Sequence, residues 1–271
     1  MPELPEVEII KTQLAKLIVG KKIMAIETDT PKMLLPSPAE VTKAVAGAKI
    51  TKIARRAKLI QIFLDNGSLL ILHLKLTGRL LVRKNSDPKD DWQRITLSLS
   101  DGLELRFADL RKFGWLKLLS GEKELTKIFS EFGPEAMEMK TGELVEILSV
   151  SRRPIKIVLM DQAKISGLGN IYVNEALWLA GINPTKESKK LRTEEQKALY
   201  EAILKVLKAG LKYGGASDQF YLDAKGAKGH YQEHFLVYGR AGQICRRCKK
   251  TKIEKIKLGG RGTYWCPFCQ V

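Results

Sequence analysis

The chain has 271 residues, a net charge of +17 and a hydrophobic content of 44%, which suits two domains with cores of their own and points to a polyanionic partner. No apolar run approaches the length of a membrane span and the N-terminus lacks a signal-peptide pattern, so integral membrane and secreted classes are excluded. All four cysteines lie between positions 245 and 269. A disulfide framework through the body is therefore excluded too, and a reducing cytoplasm is expected. Nucleic acid is the favoured partner and an anionic membrane surface the second choice, since no amphipathic basic helix stands out.

The chain opens Met1-Pro2-Glu3-Leu4-Pro5-Glu6-Val7-Glu8. A small residue after the initiator Met predicts removal of Met1, leaving Pro2 as a terminal secondary amine near Glu3 and Glu6. An α-amino group titrates near ~7.7–8.0 and a lysine near ~10.4, so at neutral pH the terminus offers far more unprotonated nucleophile. A neighbouring carboxylate can shuttle protons. The same residues also read as a helix entry, with Pro5 and acidic groups in the first turn, and the two readings are compatible. Val7, Ile10, Leu14 and Leu17 fall at helical spacing and Gly20 supplies the stop.

A strand is expected over 22–29, then a proline-broken stretch and a short helix near 39–46. The pattern from 49 to 120 is of strands at 50–53, 59–64, 69–76, 95–99, 103–107 and 115–119. Turn signals at Asn66-Gly67, Thr77-Gly78 and Asp101-Gly102 separate them, which suggests a sandwich or barrel. A helix over 123–132 and a polar connection from Gly133-Pro134 to about Lys140 mark a boundary. Short helices follow at 143–150 and 155–161, then one at 171–180 ending on Gly181. A longer helix follows Thr193, whose spacing to Gln196 is that of a capping box, with Leu199, Ile203, Val206 and Leu207 as its buried face. Positions 214–228 form a glycine-bearing loop without periodicity.

Cys245-x-x-Cys248 and Cys266-x-x-Cys269, seventeen residues apart, suit one tetrahedral zinc ion with no open position, hence a structural site. Alternation in Ile253-Glu254-Lys255-Ile256-Lys257-Leu258 suggests a β-hairpin with Arg261 near its turn, a basic reader of phosphates. Gly167-Leu168-Gly169-Asn170 leads into a helix and could cradle a phosphate or simply cap, with Arg152, Arg153 and Lys156 adding charge nearby. Asp109-Leu110-Arg111-Lys112-Phe113-Gly114 ends a strand. Its Phe and Arg could fill the gap left by an extruded base, or the Phe could be core. Lys58, in Arg55-Arg56-Ala57-Lys58, is an acid, a phosphate contact or a snorkelling side chain. His73 reads as a structural histidine; His230 and His234 are left open.

These motifs, together with 167–184 (GLGNIYVNEALWLAGINP) and the terminal GGRGTYWC, resemble formamidopyrimidine-DNA glycosylase from end to end. The resemblance implies an α+β chain: an N-terminal β-sandwich with flanking helices (1–134), a helix–two-turns–helix domain with a lesion-capping loop (135–240) and a β-hairpin zinc finger (241–271). It implies a bifunctional glycosylase and AP lyase of base excision repair. Such an enzyme removes 8-oxoguanine and formamidopyrimidines from double-stranded DNA held in the cleft between its halves, as a bacterial, cytoplasmic, nucleoid-associated monomer. Pro2 matches the nucleophile, Glu3 the general acid/base and Glu6 a supporting carboxylate. Lys58 matches the lysine of β-elimination, and Arg261 the phosphate-gripping arginine that assists δ-elimination. Asn170 and Lys156 match backbone and lesion-site contacts, and Arg111 with Phe113 the wedge. Arg152 and Arg153 are further DNA-binding candidates.

Three places depart from the family pattern. Leu76 stands where the third void-filling residue is usually Met, a swap of similar volume. Asp91-Trp92-Gln93-Arg94 replaces a Lys-His-Asp-His segment and removes a histidine phosphate contact. The loop around Asp218-Gln219-Phe220 differs and leaves lesion preference open. The sister endonuclease VIII type is disfavoured by Leu4, where that branch has Gly, and by the long glycine-bearing loop. A zinc-finger DNA-binding protein without catalysis leaves the acid-flanked proline unexplained.

Overall fold

Pro5 in the first turn and apolar residues every third or fourth position make Leu4–Ile18 a helix, α1, that buries Leu4, Val7, Ile10, Leu14 and Ile18. The structure, a computed structural model, describes residues 1–119 and 121–271; Ser120, where the strand-rich stretch was expected to end, lies outside them. Two compact units emerge: Met1–Ser130 with Tyr213–Gln232, and Glu131–Lys212 with Glu233–Val271.

The first unit continues through β1 (Ile23–Thr28), β2 (Leu34–Leu35), α2 (Pro38–Val45), β3 (Ile50–Arg56), β4 (Leu59–Leu64) and β5 (Leu69–His73). β6 (Gly78–Lys84), β7 (Gln93–Leu99), β8 (Leu103–Asp109), β9 (Trp115–Leu119) and α3 (Glu122–Phe129) follow. One sheet runs β1-β7-β8-β6 and the other β2-β9-β5-β4-β3. Their inward residues, among them Ile26, Leu80, Leu97 and Phe107 from the first and Ile53, Ile60, Leu70 and Leu116 from the second, share one core with α1. This is the expected sandwich.

Two expectations need correction here. The strand expected over 69–76 ends at His73, because Lys75 takes a positive φ of 51° and turns the chain. β6 was not anticipated at all. Arg79, Arg83 and Lys84 break its apolar run, yet Leu80 enters the sandwich core and Leu81, on the opposite face, is buried as well.

The second unit holds α4 (Thr141–Ser149), α5 (Ile155–Met160), α6 (Asn170–Ala180), α7 (Thr193–Lys212), β10 (Glu254–Leu258) and β11 (Arg261–Trp265). α6 stops at Gly181 in the left-handed region, φ 74°, the conformation a glycine C-terminus favours. α7 buries Leu199, Ile203, Val206 and Leu207 as expected. It can close on α6 because a Cβ at Gly210 would lie 2.4 Å from the Tyr172 hydroxyl. Its N-terminal cap is shifted by one residue from the anticipated Thr193–Gln196 pair. Thr193 is already helical, and Glu195 Oε2 accepts the Arg192 N–H at 2.8 Å. The Gln196 amide instead donates to the Leu191 carbonyl at 3.1 Å. Among the described residues no helix is long and apolar enough to cross a membrane.

Candidate functional site

In the first unit the groups of interest gather at the start of α1. Pro2 is buried, and Glu3 and Glu6 are 2% and 1% exposed. Both oxygens of Glu6 accept backbone N–H groups: Oε2 that of Glu3 at 2.8 Å, Oε1 that of Ala216 at 2.9 Å. The carboxylate thereby ties the backbone at Glu3, next to Pro2, to the 213–232 segment. Gly215 makes the approach possible, at φ +84° and with room for no Cβ, which would sit 2.8 Å from the Tyr221 ring and 3.0 Å from Glu6 Cγ. Tyr221 sinks into the core there at 5% exposure with its hydroxyl unpartnered. Burial, then the charges of Glu6 and Asp223, push its pKa well above the usual phenol range.

Lys58 sits in the two-residue turn of the β3–β4 hairpin, closed by the Arg56–Leu59 pair, and is 7% exposed. Arg55 Nη1 donates to the Ala57 carbonyl at 2.8 Å and Arg55 Nε to Glu8 of α1 at 2.9 Å. The turn that carries Lys58 is therefore bolted to the helix that carries Glu6. Across the β4–β5 ladder, Leu59 pairs with His73. His73 Nδ1 accepts the Lys75 N–H at 2.9 Å, so the ring proton sits on Nε2. Burial first, then Lys75 and Lys58, hold its pKa down at about 3. His73 is thus neutral and satisfied in the fold, in keeping with the structural histidine expected from the sequence.

The loop after β8 is organised by Asp109, which is fully buried. Its carboxylate accepts the Thr77 hydroxyl and the N–H groups of Arg111 at 3.1 Å, Phe113 at 2.9 Å and Gly114 at 2.7 Å. Four donors on one carboxylate make an ordered loop whose tip exposes Leu110 and Phe113 alongside Arg111 and Lys112. Phe113, for which burial was the other reading, is 52% exposed, with the Arg111 guanidinium 4.8 Å from its ring centroid. Leu76 is half-buried on the turn before β6. Nothing in the bare motif singled out Asp109; an acid followed by several backbone donors in a strand-end turn was the available signal.

In the second unit, Gly259 and Gly260 form the hairpin turn at φ 57° and 75°, and Arg261 opens β11 beside it. Two positive φ values suit a tight right-twisted hairpin. Arg261 is exposed. Lys156 is completely buried, and its ammonium donates to the Gly262 carbonyl at 2.9 Å and to Thr263 Oγ1 at 2.8 Å. Asn170 Nδ2 donates to the same carbonyl at 3.1 Å, and Asn174 Oδ1 accepts the Tyr264 N–H at 2.8 Å. α5 and α6 so grip the strand that presents Arg261. A cavity of about 500 Å³ opens there, lined by Asn170, Tyr238, Lys255, Lys257, Gly260 and Tyr264. Glu175, another residue the sequence did not announce, accepts the N–H groups of Leu236, Val237 and Tyr238 and sets that wall. Arg152 and Arg153 are exposed ahead of α5, Arg153 paired with Asp161 at 2.8 Å.

The four cysteine sulfurs lie within 4.8 Å of one another, with Cys245–Cys269 and Cys248–Cys266 separations of 3.8 Å. Bonds of ~2.3 Å directed tetrahedrally give an edge of about 3.8 Å, so the set fits one zinc ion with all positions filled. The Lys250 N–H is the chief cause that holds Cys248 down at about 6, while burial and its sulfur neighbours push Cys269 up to about 12. A dication at the centre removes that conflict among like charges.

Comparison with known proteins agrees with these arrangements. Residues 1–116 match the formamidopyrimidine-DNA glycosylase N-terminal domain, 132–221 the formamidopyrimidine-DNA glycosylase H2TH domain, and 242–271 the zinc finger found in FPG and IleRS. The chain is 42% identical over its full length to a formamidopyrimidine-DNA glycosylase of Chloroflexus aggregans, covering 99% of that protein. It is 38% identical over its full length to that of Bacillus cereus, again covering 99%. Among solved structures it resembles a Lactococcus lactis FPG mutant in complex with DNA containing Fapy-dG, with TM-score 0.93, 38% identity and 99% of each chain covered. It also resembles the Lactococcus lactis Fpg in complex with DNA containing an abasic site, with TM-score 0.93, 37% identity and 99% of each chain covered.

Proposed function

We propose, on the premise that the chain belongs to the formamidopyrimidine-DNA glycosylase family and is a DNA glycosylase, that it excises 8-oxoguanine and formamidopyrimidines from duplex DNA and then cleaves the strand. The observation that carries this is the clamp at the chain start, where buried Glu6 holds the N–H of Glu3, the residue after Pro2, and that of Ala216 in the 213–232 segment. With Met1 removed, the Pro2 ring nitrogen attacks C1′ of the damaged nucleotide. The C1′–N bond breaks, its electron pair leaves with the base, and Glu3 supplies the proton. Sugar ring opening then gives an iminium between Pro2 and C1′.

Loss of a C2′ proton to Glu3 or Lys58 expels the 3′ phosphate by β-elimination. A second elimination, aided by Arg261, expels the 5′ phosphate. Asn170, Arg152, Arg153 and the zinc-held hairpin grip backbone phosphates. Lys156 acts through that hairpin. Leu76, Arg111 and Phe113 fill the space of the extruded base. Zinc, when bound, fixes the hairpin and takes no part in the chemistry.

In this reading residues 1–134 are catalytic together with the 213–232 segment that packs with them, the rest of 135–240 grips phosphates and 241–271 is the finger, and the enzyme works in the cytoplasm at the nucleoid. Support for lesion-bearing DNA as ligand comes from the Lactococcus lactis complexes with Fapy-dG and abasic-site DNA. The test is a duplex carrying one 8-oxoguanine beside one carrying thymine glycol. The account expects scission of the first, with phosphate on both new ends, and slower attack on the second. Preference for thymine glycol would move the chain to oxidised pyrimidines; tight binding with no scission would remove the catalytic reading.

A further inference from the structure

The segment that replaces the family's histidine contact does not face outward as a simple substitute. Arg94 is engaged by Asp29 Oδ2 at 3.1 Å and by the Asp109 carbonyl at 3.2 Å. Trp92 lies against Phe220, with ring centroids 6.4 Å apart and planes at 74°. The Arg79 guanidinium stands 5.3 Å from the Trp92 ring centroid while its Nε donates to the Phe220 carbonyl at 2.7 Å. An edge-on aromatic pair from Trp92 and a charged hydrogen bond from Arg79 thus converge on Phe220, and Arg79 and Trp92 are themselves joined by a cation over an aromatic ring.

The platform beneath is rigid. Trp92 has φ 59°, a conformation that a bulky side chain keeps only where its surroundings enforce it. Its carbonyl accepts the Asp109 N–H at 2.9 Å. The preceding turn is held by Arg106, which donates to the carbonyls of Lys84, Asp87 and Pro88 and to the carboxylates of Asp90 and Glu104. On the other side of Phe220, the segment is anchored at Ala216 on Glu6 and at Tyr221 in the core. The stretch between those anchors carries the exposed Asp218 and Gln219 and then Phe220.

We propose that Arg79 and Trp92 form a latch that holds Phe220, and with it the 217–221 arch, in place before ligand arrives. The latch positions the arch to meet an extrahelical purine and so governs selectivity for the base. It does not touch the reacting sugar. This rests on the glycosylase reading above, and it predicts a division of labour. Base excision needs the arch, whereas cleavage at a pre-formed abasic site, which has no base to meet, does not.

The experiment compares wild type with Trp92→Ala and Trp92→Phe in the full zinc-loaded chain. Hydrogen exchange of 217–222 is measured without DNA. Single-turnover rates are measured on an 8-oxoguanine duplex and on an abasic duplex. Trp92→Ala should speed exchange and slow 8-oxoguanine excision, each about tenfold, while abasic cleavage stays within about twofold. Trp92→Phe should restore most of both. Unchanged exchange, or equal losses on both substrates, overturns the latch. If the wild type cleaves neither duplex but exchange still responds to Trp92→Ala, the latch stands as a structural device and the proposed function fails instead.

Discussion

The two units present their functional groups in opposite ways. In the first, the groups assigned to the chemistry gather about the start of α1, and that one helix is the hub on which they are positioned, reaching also to Ala216 of the 213–232 segment. Glu6 ties the N–H three residues before it, and the Lys58 turn is bolted to the same helix by Arg55 and Glu8. In the second, the groups that face the cavity hang on distant cross-links: Lys156 and Asn170 on Gly262, Asn174 on Tyr264, and four sulfurs spaced for a metal. The contrast teaches that damage to the first should alter chemistry at nearly unchanged affinity. Damage to the second should alter affinity first.

The largest expected effect breaks the first half of that contrast. Glu3→Gln should lower base excision by roughly 10²–10⁴-fold, the usual worth of a positioned acid or base. Binding of a non-cleavable abasic analogue should change little, and some cleavage of a true abasic site should remain. A parallel loss of binding would mean that Glu3 is structural. Next in size is zinc removal. Chelation should abolish tight DNA binding and speed hydrogen exchange through β10, β11 and the 236–238 segment, because structural zinc contributes on the order of 10 kcal/mol to small sites. Protection in β4 and β5 should persist. Collapse of both units together would contradict independent construction.

A smaller effect sharpens the second half. Lys156→Met should weaken DNA binding about tenfold, as expected when hydrogen bonds from a buried charge are lost. It should leave the salt dependence as it was, because a side chain wholly inside touches no phosphate. Lys257→Ala, at the exposed cavity wall, should instead reduce the salt slope by about one. A reduced slope for Lys156→Met would make Lys156 a direct contact.

The smallest effect concerns pH. His73 has its folded pKa depressed to about 3 from 6.5, so the unfolded chain binds the extra proton between those values. Its stabilising share is whole above pH 6.5 and drains as pH falls towards 3. His73→Asn should flatten that acid limb in a denaturation series. The activity profile of the wild type should show no limb from His73 near pH 6.5.

Most of the architecture was legible because periodicity survives in single stretches. α1 and the apolar face of α7 follow directly from spacing, and β4 and β9 fall where alternation and turn residues put them. The cysteine pairs declare a metal by spacing alone. What escaped depends on which partner a side chain finds in the folded chain, near or far. β6 is masked by charges that its neighbours accommodate, and Glu195 took the cap expected of Gln196 because Thr193 lies one residue inside the helix. Lys156 carries the charge of a DNA contact, yet tertiary packing buries it on Gly262 and Thr263. Glu175 and Asp109 look like surface acids and prove to be acceptors for several backbone donors each. Trp92 illustrates the same limit: as a departure from a motif it was mute, and only its contact with Phe220 gives it a part to play.

Borohydride trapping on an 8-oxoguanine duplex, followed by peptide mass mapping, addresses the central claim most directly. The account predicts one covalent adduct, carried by the N-terminal peptide at Pro2 of a chain lacking Met1, and none when that amine is acetylated. An adduct mapped to a lysine, or full-speed strand scission by the acetylated protein, would contradict it.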